Sequence, residues 1–520
     1  MSVTVRRAVR VLFLTIMILS ASAVGQSFVQ ATASPTADGS PAQEGTTATE
    51  TTGDTDSGET ASDGDDGTPT ATPVPPSSGE TEIDVESRFS EVKKGPLPAE
   101  NWSTQRVRKA SGQRGLTVVA TQGFYVSGQT AEIAAITPNG TVVHFNDSYR
   151  VYFDVDQVPG ERYTVEYVAA RQFEPSECTQ FESKRCTRNV VNRVNLTTGE
   201  QETVYAEMTP RIYSARWHDV DRINDTHLVV ADIINDSVYT VDTRDNLIVR
   251  EWNASERYTR DQGGKAGDWT HINDVEVLPD GRIVASLRNM DSVVFLNQSS
   301  GEWVMDESWT LGSDDDHETL FEQHNPDYVP EEQGGPAVLV GDSENTRVVE
   351  YQRVDGEWIE TWSWRDVRLQ WPRDADRLPN GNTLIVDTNG NRLVELDGNG
   401  EVVWSTDMGM PYDVERIGTG DESAGGPAAR QSVGSDRTAA DRFWFTLKNT
   451  IPPHISNGLL YASPPWVLFT DIAFAGLFLL VGIAWGTSEF YWSRFTLRGF
   501  GERIAATLRG IVVGRVRRNE

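Results

Sequence analysis

Three histidines, His218, His271 and His324, stand at or just before the start of phrases that resemble one another: HDVDRIND, HINDVEVLPDG and HNPDYVPE. The chain holds only seven histidines in 520 residues, so three in copies of one phrase is a concentration. Near neutral pH an imidazole serves as nucleophile, general base or metal ligand. Arg373 opens another copy, RDADRLPNG, and Arg288 follows His271 by about one hairpin, in SLRN. Asn273 adds an amide two residues after His271. Arginine and asparagine beside histidine can hold a tetrahedral or planar oxyanion through charge-assisted hydrogen bonds. Three histidines would also suit zinc, although not calcium, which prefers oxygen. The plainer alternative is that each is a polar cap on a strand, satisfied by a neighbouring turn.

Chemistry of any of these kinds needs the three phrases brought to one place. The phrase occurs six times, as FDVDQVPG, HDVDRIND, NDVEVLPDG, HNPDYVPE, RDADRLPNG and YDVERIG. Equivalent positions are Phe153, His218, Asn273, His324, Arg373 and Tyr412, spaced by 39 to 65 residues. Residues 373–405 contain four short strands, DADRL, TLIVDT, RLVEL and EVVWS, separated by PNGN, TNGN and DGNG. Asn-Gly and Asp-Gly supply the positive φ that hairpin turns require. Four strands in so short a stretch make one propeller blade. The outermost strands are expected to end in Trp252, Trp309, Trp364 and Trp404.

The sixth phrase, at 412, has no partner strands after it, whereas LTVVAT, AEIAAITPNG and TVVHFND at 116–147 stand before the first phrase. The pattern predicts an all-β, six-bladed propeller over residues 115–417, closed by strands from both ends in one blade. Closure removes open sheet edges that invite aggregation. A two-sheet sandwich would explain neither the six copies nor the complementary ends. First strands line the central channel of a propeller, so the six positions should meet at one mouth of it.

The rest of the chain is not globular. Residues 1–30 carry a basic start and the apolar run VLFLTIMILSASAV, a signal peptide or an uncleaved signal anchor. Residues 31–85 hold 12 acidic and no basic residues among Thr, Ser, Gly and Pro, a disordered stalk. Residues 86–114 form a connector and 418–465 a linker with a membrane-proximal segment. Residues 466–485 form a second apolar run, long enough to cross a bilayer, with Trp466 and Trp485 as interfacial anchors. Residues 486–520 are a basic tail, placed in the cytoplasm by the positive-inside rule. The propeller then lies on the extracellular face. All eight N-x-S/T sequons, from Asn101 to Asn297, fall between the two apolar runs, as an external glycosylated surface requires.

Net charge is −31, and 40 of the 46 basic residues are Arg rather than Lys. Such a surface repels nucleic acid; its composition resembles that of proteins from salt-loving microbes. Outside the cytosol Cys178 and Cys186 are expected to form one disulfide closing a short loop.

The phrases DWTHINDVEV, LRN, LFEQHNPDYV and PRDADRLPNGNTLIVD resemble the arylsulfotransferase propeller family over roughly residues 115–417. The resemblance implies transfer of a sulfuryl group from an aryl sulfate to a phenol, with no nucleotide donor, through a sulfated histidine. It implies that His324 is that histidine. His271, Asn273 and Arg288 would bind the sulfuryl oxygens, and His218 would act as acid or base toward the phenol. Arg373, Tyr412 and Phe153 complete the expected substrate-binding set. No metal and no cofactor is expected. The partners are a small aryl sulfate, a phenolic acceptor and, through the C-terminal helix, membrane lipid. The stalk and the membrane helix depart from the studied bacterial members, and residues 86–114 are too few for their added N-terminal β-domain. A non-catalytic surface propeller that binds an anionic ligand or glycan, and a histidine-ligated metal hydrolase, remain as alternatives.

Overall fold

Tight turns cut the central part of the chain into short strands. In PNGN the turn closes at Gly381 (φ +81°) and in DGNG at Gly400 (φ +78°), a region open to glycine. In TNGN the left-handed residue is Asn391 (φ +52°), not the glycine. Gly390 is needed for space, since a Cβ there would stand 2.2 Å from the Asp387 carboxylate. That carboxylate accepts the Gly390 N–H and pairs with Arg392 at 2.7 Å.

The computed structural model describes residues 3–32, 115–123, 131–138, 141–182, 184–212, 216–419, 426–429, 439–464 and 467–492. The stalk and connector, from residue 33 through 114, lie outside the described residues, as do Trp466, residues 493–520 and the sequon asparagines Asn101 and Asn139.

Six antiparallel sheets make the propeller. Their innermost strands are Val151–Gln157, Val220–Asn224, Ile272–Val277, His324–Val329, Pro372–Arg377 and Pro411–Arg416. The last of these pairs with Thr117–Thr121, followed outward by Ile133–Ile136 and Val142–Asn146. The ring therefore closes inside one blade built from both ends of the domain. Six of the apolar clusters each span two neighbouring blades. Val229, Val238 and Trp252 meet Ile272, Ile283 and Leu296, for example, and Val119 and Ile136 meet Leu384 and Trp404. The core thus lies between sheets all the way round. Each fully buried Val, Leu or Ile contributes about 1.5–3 kcal/mol. Inner-strand arginines add buried ion pairs across three of these seams: Arg222 to Glu166 at 2.7 Å, Arg377 to Glu350 at 2.7 Å and Arg416 to Glu395 at 3.1 Å.

The expectation that the outermost strands end in tryptophan is corrected at Trp404 and Trp309: Trp404 stands third in the strand Val402–Asp407. Trp309 does not end an outermost strand: that strand is Glu302–Met305, and Trp309 sits in the 3₁₀ turn Glu307–Trp309, under Arg282 and Arg353. Asp306 caps this turn by accepting the Ser308 N–H, which stops the strand early. The expected disulfide is present: Cys178 is bonded to Cys186, which opens the strand Cys186–Asn195.

Among the described residues four helices flank the ring: α1 (Val3–Thr32), α2 (Ala439–Asn449), α3 (Pro453–Tyr461) and α4 (Phe469–Trp492). Helices α1 and α4 are long and apolar enough to cross a membrane. They pack antiparallel, with Phe13 near Trp485, Met17 near Gly482 and Arg10 paired with Glu489. Helix α4 extends to Trp492, past the expected end at 485; Trp485 lies within it and donates to Glu489.

Candidate functional site

The six inner strands bring the repeated positions together at one end of the channel. The Phe153 and His218 rings lie 4.2 Å apart, Phe153 and Tyr412 4.7 Å, and His324 and Tyr412 6.0 Å. The Arg373 guanidinium sits over Tyr412 at 4.4 Å and over Trp371 at 4.5 Å. His271 reaches the same place, 5.0 Å from His218. Strand register breaks at this level in five blades: between Tyr152 and Val155, Ile272 and Asp274, His324 and Asp327, Pro372 and Asp374, and Pro411 and Asp413. Such bulges re-aim side chains at a strand end.

Two residues before each repeated position stand Val151, Arg216, His271, Glu322, Trp371 and Met410. Four of them take left-handed backbone: His271 (φ +49°), Glu322 (φ +46°), Trp371 (φ +56°) and Met410 (φ +47°). Non-glycine residues hold this conformation at a cost, and such residues cluster at functional sites.

A cavity of about 660 Å³ opens here. His218, His271 and His324 line it with Phe153, Trp371, Tyr461 and Gln122. Five cations share the wall: Arg211, Arg216, Lys265, Arg288 and Arg373; Asp268 lines it as well. On a chain of net charge −31, this is a concentrated pocket for an anion.

Hydrogen bonds set the tautomers of His324 and His271. The Ser343 hydroxyl donates to the Pro372 carbonyl at 2.7 Å, so it can only accept from His324 Nδ1, 2.8 Å away. The Glu322 carbonyl, 3.2 Å from the same nitrogen, is also an acceptor. His324 therefore carries its proton on Nδ1, and Nε2 keeps a lone pair. His271 Nδ1 donates to Asp268 at 2.6 Å, which again leaves Nε2 with a lone pair. The Tyr412 hydroxyl lies 3.2 Å from His218 Nδ1, a contact in which either group can be the donor.

All three imidazoles are held neutral. Burial, then Arg373 and Arg288, push His324 well below its ordinary value. Burial, then His271 and Arg216, do the same to His218. Burial and Arg288 lower His271 to about 4, against the opposing pull of Asp268. Burial, the largest influence, would raise Asp268, but the His271 hydrogen bond together with the charges of His271, Arg288 and Lys265 outweighs it and keeps this carboxyl low.

Two expected contacts lie behind the wall rather than on it. Asn273 is the extra residue of its bulge, and its amide donates to the Gln323 carbonyl at 3.0 Å, just before His324. Tyr412 reaches the cavity only through His218 and Arg373. Arg288 lines the cavity and pairs with Glu322. The repeat did not single out Gln122, Arg211, Arg216, Lys265, Asp268, Trp371 or Tyr461. Of these, Arg216 and Trp371 carried a usable signal, since they occupy the His271 position in other copies.

Deeper in the channel the character reverses. The next residues along the six inner strands are Asp154, Asp219, Asp274, Asn325, Asp374 and Asp413, all buried. Two residues further come Asp156, Asp221, Glu276, Asp327, Asp376 and Glu415. Burial raises Asp413 to about 6 and Asp327 to about 8. Among the described residues, no three His, Cys, Asp or Glu side chains are grouped as a metal site needs.

Residues 197–353 match the arylsulfotransferase (ASST) family model. The matched stretch contains His218, His271, Asn273, Arg288 and His324. No curated protein matches the chain. Among solved structures, a periplasmic gluconolactonase from Pseudomonas aeruginosa is similar at 11% identity, over 58% of this chain and 99% of that one, with TM-score 0.38. A protein of unknown function from Bacteroides caccae is similar at 11% identity, over 58% and 98%, with TM-score 0.39. A catalytically inactive virginiamycin B lyase from Staphylococcus aureus is similar at 8% identity, over 59% and 88%, with TM-score 0.33.

Proposed function

We propose that the chain is a membrane-anchored sulfuryl transferase that moves the group from an aryl sulfate to a phenol through His324. The observation that carries this reading is the back-side fixing of His324. Ser343 and the Glu322 carbonyl take its Nδ1 proton, so a neutral Nε2 lone pair is available beside five cationic side chains. The match to the arylsulfotransferase model supports the same reaction class.

In the first step His324 Nε2 attacks sulfur as the bond from sulfur to the aryl oxygen breaks. The aryl oxygen leaves as phenolate and accepts a hydrogen bond from His218 Nε2–H, with Tyr412 donating to Nδ1 in this scheme. In the second step the acceptor phenol attacks the sulfur of the N-sulfohistidine. Its proton passes to the lone pair on His271 Nε2, the N–S bond breaks, and His324 is released as the neutral ring. Arg288 and Arg373 bind the sulfuryl oxygens as charge spreads in the transition state, so catalysis rests on position and electrostatics. His271, with its lone pair on Nε2, accepts a hydrogen bond from the incoming phenol. Asn273 acts as a positioning residue by holding the Gln323 carbonyl next to the nucleophile.

The same reading places the propeller, residues 115–417, outside the cell, with α1 and α4 as an antiparallel membrane pair and both basic ends inside. Incubation of the purified full chain with a chromogenic aryl sulfate and a phenol tests the reaction. Phenol-dependent release and a sulfuryl adduct on a peptide containing His324 are expected. Release that persists in His324→Ala would refute the nucleophile. Binding of sulfate esters with no turnover would instead favour an anion-binding surface propeller.

A further inference from the structure

The channel has two ends, and the membrane-proximal segment is built onto the one that carries the cavity. Asn457 of α3 donates to Glu344 at 3.0 Å, and its carbonyl accepts from Asn389 at 3.3 Å. Lys448 of α2 is buried and donates to the Leu369 carbonyl, two residues before Trp371. Tyr461, the last residue of α3, packs on Trp371 with ring centres 6.0 Å apart and lines the cavity. Phe469, the first residue of α4, is buried in a groove formed with Leu460, Val367, Gln370 and Asn389. Only seven residues separate the cavity rim at Tyr461 from the start of α4. Fully extended they span about 29 Å at most.

Helices α2 and α3 also turn apolar side chains outward on this side. Phe443 is 60% exposed, Leu459 48% and Ile455 46%, while Trp444 packs edge-to-face with Phe474 of α4 at 5.3 Å. Apolar side chains beside a membrane helix are what an interfacial helix buries among lipid headgroups. Trp371 and Tyr461, the aromatic rim, are residue types that favour that layer.

From this placement we infer that the acceptor is a membrane-resident amphiphile carrying a phenolic hydroxyl at headgroup level, taken directly from the leaflet in which the protein is anchored. The inference rests on the sulfuryl-transfer reading above. The donor is an anion and is drawn from solution by the five cations of the wall. The acceptor is neutral and gains nothing from that field. Confinement in the same bilayer supplies the local concentration instead.

The test uses the full chain in phosphatidylcholine vesicles with a soluble chromogenic aryl sulfate. Acceptors are a simple water-soluble phenol and a long-chain 4-alkylphenol, the latter either in the enzyme's own vesicles or in separate ones. We expect the alkylphenol in the same vesicles to be sulfated at least tenfold faster than the soluble phenol at equal total concentration. We expect that advantage to disappear on presentation in separate vesicles. The double variant Phe443→Asp, Leu459→Asp, altered at exposed positions, should lose most of the alkylphenol rate and keep the soluble-phenol rate. Equal rates for the two acceptors, or no dependence on which vesicle holds the alkylphenol, would overturn the inference while leaving sulfuryl transfer intact. Transfer to neither acceptor would overturn both.

Discussion

Ser343 never touches substrate in this scheme, yet its replacement should slow the first chemical step. In Ser343→Ala the His324 Nδ1–H loses its 2.8 Å acceptor and keeps only the Glu322 carbonyl at 3.2 Å. The ring is then freer to rotate and to move its proton to Nε2, where no lone pair remains to attack sulfur. One such hydrogen bond is worth a net 0.5–1.5 kcal/mol or so. Each 1.36 kcal/mol is about tenfold in rate, so the expected loss is roughly 2- to 12-fold. The assay is rapid-quench measurement of the first burst of phenolate, which reports sulfation of the enzyme before the acceptor intervenes. Ser343→Thr, which keeps the hydroxyl, should recover most of the rate. A burst in Ser343→Ala as fast as the parent's would refute the tautomer argument. A loss as complete as in His324→Ala, with the thermal melt unchanged, would assign Ser343 a direct role.

Arg373→Gln removes one of the charges that, after burial, hold His324 neutral, so the acid limb of kcat/KM should move to higher pH; a stationary limb would separate Arg373 from the nucleophile. Asp327 is raised to about 8 by burial, so its favourable contribution is complete below about pH 4, declines as the unfolded state ionises, and is gone above pH 8. Asp327→Asn should therefore flatten the fall in melting temperature between pH 4 and 8, and an unchanged slope would contradict the assignment. The Cys178–Cys186 bridge closes a loop of sequence separation 8, which corresponds to about 2.5 kcal/mol of chain entropy. A Cys178→Ser, Cys186→Ser chain should unfold at lower denaturant but keep its propeller circular dichroism.

The ring was legible because each blade repeats one phrase with turn residues at fixed places, and period-two alternation has a single solution once six copies must close. The strands at 116–147 announced the closing blade by matching what the sixth copy lacked. Side-chain direction was less legible. Asn273 sits in register with His324, yet a bulge turns its amide toward Gln323. Trp371 and His271 face the cavity because their backbone is left-handed, and nothing in a tryptophan foretells that. Arg211 and Lys265 come from connections outside the repeat. Tyr461 comes from a segment that composition marks as a linker, and only its docking through Asn457 and Lys448 reveals it as a wall of the cavity.

The acid levels beneath the histidines bear on traffic. A sulfate ester that settles among the arginines finds no onward attraction, because the first level of the shaft below presents buried carboxyl groups on every strand but one and the next presents a carboxyl group on all six. The well is therefore blind to anions: one that enters by the aromatic rim leaves by it. Under the proposed transfer, a spent phenolate clears that doorway before its successor is admitted, so donor and acceptor take turns at the nucleophile.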